Sequence, residues 1–127
     1  MDNERFSKVK IGDQEYKLVL TTRATKEIAK RYGGLGKLGE NLLKEKDFDK
    51  TISEVIWLVT LLANQGILIE NLTKDAKSPC LTEDEVEILT IPGDIALFKD
   101  AISEALIKGT KRNIESEDTQ SKNVQVG

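Results

Sequence analysis

Apolar and polar positions alternate at the start of the chain and then fall into helical spacing. Over 6–11, Val9 and Ile11 share one face and Lys8 and Lys10 the other. Gly12 and Asp13 interrupt, and alternation resumes over 14–21 with Tyr16, Leu18 and Leu20 on one face. Two period-two runs around a Gly-Asp pair predict a β-hairpin, because glycine accepts the positive φ of a tight turn. A lone hairpin is barely stable in water, so its apolar face must dock on the rest of the chain or on a partner.

After Thr21 and Thr22 the period changes. Ala24, Ile28, Tyr32 and Leu35 recur every three or four residues, which predicts a helix capped by one of the threonines and stopped by Gly33-Gly34. A short second helix follows over 35–43, weakened by Gly36 and Gly39. The strongest segment is 50–65, with Asp49 as N-cap and Gly66 as stop. Its residues Ile52, Val55, Ile56, Trp57, Leu58, Val59, Leu61, Leu62 and Ala63 are apolar almost all the way round. Such a helix is either covered on several sides or keeps one face for a partner. At about 16 residues it is too short to span a membrane.

The type of 67–72 is left open, and the polar stretch 71–79 reads as a loop. Thr82 and Glu85 form a capping box that opens a short helix carrying Val86, Leu89 and Ile88, ended by Pro92-Gly93. Asp94 then starts an amphipathic helix. Ile95, Phe98, Ile102, Ala105 and Leu106 lie on one face, with Lys99, Asp100, Glu104 and Lys108 on the other. Past Ile114 only Val124 and Val126 are apolar, too little to offset the entropy of ordering. The predicted fold is α+β, mostly α: an N-terminal β-hairpin packed on a bundle of about four to five helices. A single domain over 1–114 is followed by a disordered C-terminal tail over 115–127.

Composition then narrows the chemistry. A chain of 127 residues buries enough surface for a core without metal or disulfide staples. It holds no histidine, which excludes a Ser-His-Asp triad, a Cys-His dyad and a His-ligated zinc within the chain. The single cysteine, Cys80, excludes an internal disulfide and a cysteine metal cluster. A net charge of −3 counts against a nucleic-acid partner. The charged start Met1-Asp2-Asn3-Glu4-Arg5, with no signal-type apolar segment after it, points to a cytoplasmic protein without a membrane partner.

Each candidate for chemistry has a plainer account. Helix capping explains Glu83, Asp84, Glu85 and Glu87 better than a cation site does. Gly33-Gly34-Leu35-Gly36-Lys37 follows a helix and lacks the Lys-Ser/Thr pair of a phosphate loop, so helix termination is its role. Cys80 has no histidine to activate it. Lys26, Lys30, Arg31 and Lys37 make only a modest basic patch, with few aromatics. Trp57 reads as core, or else as an interface anchor. No catalytic, metal or cofactor site emerges, and the profile suits a binding or assembly protein rather than an enzyme.

The strings "KVKIGDQEYKLVLTTRATKEIAKRYGGLGKLGENL", "ISEVIWLVTLLANQG" and "LTEDEVEILTIPGDIALFKDAISEALIKGTKR" carry a further resemblance. Over 8–112 the chain resembles the small tail assembly chaperones of long-tailed phages and prophages of Gram-positive bacteria. The resemblance lies in layout: a hairpin with a Gly-Asp turn, "LTTRA" leading into a helix ending "RYG", a central apolar helix, and "LT-x-x-E-V" before a last helix. It implies a non-catalytic protein of the host cytoplasm that coats the tape measure protein and helps recruit tail tube subunits. It also implies self-association into a homo-oligomer and a longer frameshifted product. The expected client-binding residues are Ile52, Val55, Trp57, Val59 and Leu62 of the apolar helix, with Ile95, Phe98, Ile102 and Leu106 of the last. Two rival classes are a structural tail component of the completion or connector type and a small regulatory protein-binding module.

Overall fold

Strands β1 (Phe6–Ile11) and β2 (Gln14–Val19) pair antiparallel, with Ile11 opposite Gln14, Val9 opposite Tyr16 and Ser7 opposite Leu18. The computed structural model describes the backbone of residues 5–124 and the side chains of residues 5–110 except residue 43. Gly12 has φ 65°, the conformation the turn requires. Ser7, Val9, Ile11 and Leu18 face inward and are buried, while Lys8 and Lys10 are exposed. The opposite face is covered too where Phe6 pairs with Val19, since both are buried.

Strand β2 stops short of residue 21 because Thr21 is committed to the next element. Its side chain accepts the amide of Ala24 at 3.0 Å as the N-cap of α1 (Thr22–Tyr32). Gly33, at φ 93°, ends the helix and donates its amide to the Ala29 carbonyl. Helix α2 (Leu35–Lys44) follows, despite its two glycines, with Leu38 buried in the core.

Helix α3 (Phe48–Asn71) differs from the sequence expectation at both ends. Asp47, not Asp49, is the N-cap; its carboxylate accepts the Asp49 amide at 3.0 Å, which places Asp49 in the first turn. Gly66 does not stop the helix, which takes in most of the undecided 67–72 stretch. A Cβ at position 66 would run into the Lys17 carbonyl oxygen of β2. The missing side chain is therefore what lets strand and helix approach closely. At 24 residues α3 is long and apolar enough to cross a membrane, so the argument from a shorter helix falls. In this fold it is the central helix, packed against β2, α5, α4 (Glu83–Leu89) and α1.

Both halves of the predicted capping box are present at α4: Glu85 N donates to Thr82 Oγ1 at 3.1 Å, and Thr82 N to Glu85 Oε1 at 2.8 Å. Helix α5 (Asp94–Val124) lays Ile95, Phe98, Ala101, Ile102 and Ala105 into the core. At Gly109 a Cβ would lie 2.7 Å from Leu20 Cβ, a second close approach made through a glycine. Helix α5 also holds β1. Ser7 Oγ donates to the Ala101 carbonyl at 2.6 Å and Lys108 Nζ to the Phe6 carbonyl at 3.0 Å. Its backbone continues to Val124, through most of the stretch 115–127 expected as a tail. The side chains of that tail, and residues 125–127 entirely, lie outside the described residues. Every one of these elements contributes to a single buried cluster, so the fold is α+β, mostly helical, around one core.

Candidate protein-binding surface

Packing around α3 corrects the client-binding residues expected from the sequence. Val55, Val59, Leu62, Ile95, Phe98 and Ile102 are buried, and Ile52, Trp57 and Leu106 are half-buried against them. The hairpin and the other helices use both apolar stripes as core, which leaves neither as a free face.

Trp57 belongs to a clasp between α1 and α3. Tyr32 meets its ring edge-on at 6.1 Å and the Arg31 guanidinium lies 4.4 Å from its centroid. Arg31 also donates from Nε and a terminal nitrogen to Glu54 at 3.2 and 3.5 Å, and Tyr32 Oη donates to the same carboxylate. Burial alone would raise the Glu54 carboxyl, but the hydrogen bonds from Tyr32 and Arg31 outweigh it and hold the pKa below its ordinary value. Burial and the Glu54 carboxylate together push the Tyr32 phenol above its ordinary range. The clasp is a structural device with its donors and acceptor already matched.

Among the described residues, the exposed large apolar side chains are Phe48, Leu72 and Ile107, each apart from the others in the chain, and four that fall within 88–97. Ile88 is 83% exposed, Ile91 67% and Leu97 64%, whereas Phe98, the next residue, is 2% exposed. Leu89 is exposed as well, so the corner between α4 and α5 shows four large apolar residues within ten positions. Helix α4 has only seven residues and buries one of them, Val86. The "EVEIL" pattern indicates a helix but not how little of it finds a neighbour. Local spacing alone does not say which of Val86, Ile88 and Leu89 is covered.

A groove of about 700 Å³ runs beside this corner. One wall is the hairpin from Ile11 to Lys17, the floor is α3 at Ala63, Gly66, Ile67 and Glu70, and the far wall is Ser78 to Leu81 with Glu85 and Leu89 of α4. Leu89 joins groove to corner and also packs close to Gly12, 3.4 Å from where a Cβ would sit. Two asparagines of α3 fix the far wall. The Asn64 amide donates to the Leu81 carbonyl at 2.9 Å and accepts its N–H at 2.7 Å. Asn71 makes the same pair of bonds to Ser78, each at 2.9 Å. The segment between α3 and α4 has no helix or strand of its own, yet these two asparagines tie both Ser78 and Leu81 to α3.

Charge is segregated around the same place. Residues 78–98 hold five carboxylates and no lysine or arginine. The groove adds Asp13, Glu15 and Glu70 against one cation, Lys17, which lies 3.5 Å from Glu70. Among the described residues no group of three or more acidic or cysteine side chains is placed to hold a metal ion. No protein-family model matches the chain, and neither does any curated protein or solved structure with which it was compared.

Proposed function

We propose that the protein is a non-catalytic, protein-binding chaperone of the phage or prophage tail-assembly type. It would take the tape measure protein as client in the host cytoplasm and assist recruitment of tail tube subunits. The family part of this proposal rests on the resemblance of 8–112. The binding part rests on one observation: Ile88, Leu89, Ile91 and Leu97, near one another in the chain across the turn from α4 into α5, stand exposed, and Leu89 lines a groove whose far wall is pinned in place. Large apolar side chains grouped on a surface are what a protein partner buries. The corner and groove accordingly replace the two buried stripes as the client surface.

The test is co-expression with the tape measure protein of the same gene cluster. The expected result is soluble tape measure protein only alongside this chain, and its loss with the Ile88→Asp and Leu97→Asp substitutions. These positions are solvent-facing, so thermal unfolding of both variants should match the parent chain. Tape measure protein that precipitates regardless would remove the chaperone assignment. Recovery of this chain from finished tails would favour a structural component instead.

A further inference from the structure

We infer that the segment this surface takes is a cationic amphipathic helix, its apolar stripe on the Ile88–Leu97 corner and its Lys or Arg side chains on the surrounding carboxylates. This rests on the protein-binding proposal above and adds the chemistry of the partner.

Charge fixes the sign. Glu83, Asp84 and Glu87 precede the exposed apolar residues on α4 and Asp94 falls between Ile91 and Leu97, while the groove joined to them by Leu89 is lined by Asp13, Glu15, Glu70 and Glu85. Glu85 is already engaged by Thr82, Glu70 by Lys17 and Asp94 by the Ile91 amide, which donates to its carboxylate at 3.0 Å. Glu87, Glu83 and Asp84 stand exposed on α4, and Glu15, opposite Lys10 in the hairpin, makes a 3.8 Å contact to exposed Lys8. A partner burying the apolar corner brings its flanking side chains against these carboxylates. Basic flanks are attracted and acidic flanks repelled, so the rim selects partners by sign.

Backbone fixes the conformation. An extended peptide would bind by adding a strand to the free edge of β2, which requires open main-chain groups there. Helix α3 already lies against that strand at Gly66, close enough to exclude a Cβ from the Lys17 carbonyl. A helix laid across the corner needs no main-chain pairing and brings its own hydrogen bonds with it.

The experiment uses the full chain and three fluorescein-labelled helical peptides with one apolar stripe and polar faces of Lys/Arg, Gln or Glu. Fluorescence anisotropy at low salt should give the Lys/Arg peptide at least tenfold tighter binding than the Glu peptide. The gap should close in about 0.5 M salt, where screening extends to only a few ångströms. The double variant Glu15→Lys/Glu87→Lys should erase or reverse the preference, and Ile88→Asp/Leu97→Asp should weaken all three peptides. Circular dichroism melts would verify that both variants fold. Equal binding of the three peptides would overturn the cationic assignment and leave the protein-binding proposal standing. Undiminished binding of a Lys/Arg peptide interrupted by proline would overturn the helical one. If no peptide binds, the inference fails. Co-expression with the tape measure protein then decides separately whether the parent proposal fails with it.

Discussion

Gly66 and Gly39 are both helical glycines, but they answer to opposite pressures. At Gly66 a methyl group meets a backbone carbonyl that cannot swing aside, so Gly66→Ala should cost about 2 kcal/mol, overpacking exceeding the gain in helix propensity. At Gly39 nothing lies within 4 Å and the position is exposed, so Gly39→Ala should stabilise the protein by roughly 0.5–1 kcal/mol. Urea titration of the two variants would show midpoints moving in opposite directions. The consecutive residues Leu97 and Phe98 make a similar contrast. Phe98→Ala opens a cavity in the core and should cost about 3–5 kcal/mol, a large part of a typical total stability. Leu97→Asp should change stability by no more than about 0.5 kcal/mol and act on partner binding instead.

Between elements, the clasp of Glu54 with Arg31 and Tyr32 joins α3 to α1 and carries a pH dependence. The folded carboxyl lies below its ordinary value of 4.5, so its contribution is fully present above that pH and is lost as pH falls through the lower folded value. Glu54→Gln should therefore be less stable than the parent at pH 7, with the difference shrinking toward pH 3, as denaturant midpoints at the two values would show. Asn64→Ala should release Leu81 and cost about 1–2 kcal/mol, with faster amide exchange over 78–81. Much of this element structure was legible in the sequence. The hairpin, the Thr21 cap, the Gly33 stop and the Thr82–Glu85 box are local signals set by neighbouring residues. Gly66 was misread because a glycine after an apolar run signals a cap and a close packing contact alike, and only the position of β2 decides between them. Both apolar stripes were recognised as stripes. Whether a stripe is covered depends on partners remote in sequence, so Val59 and Ile102 read as a client surface and proved to be core. For the same reason Ile88 reads as one of the apolar residues of the short helix α4, and Leu97 draws no notice, although both are exposed.

The whole molecule closes on itself through contacts of long range. Helix α3 is enclosed by the hairpin on one side and α5, α4 and α1 on others, so one cluster serves every element and unfolding should be a single transition. Coincident loss of helical circular dichroism and of Trp57 fluorescence during denaturation would verify this, because Trp57 sits at the α1–α3 junction. The bonds from Ser7 to Ala101 and from Lys108 to Phe6 span 94 and 102 positions of chain. A ribosome working from the N-terminus makes the hairpin first and its covering helix last. At ordinary rates of synthesis roughly 5–20 s separate the emergence of Ser7 from that of Ala101. Through that interval the outer edge of β1 has no native neighbour, and the nascent chain must be kept from pairing with others before it can fold.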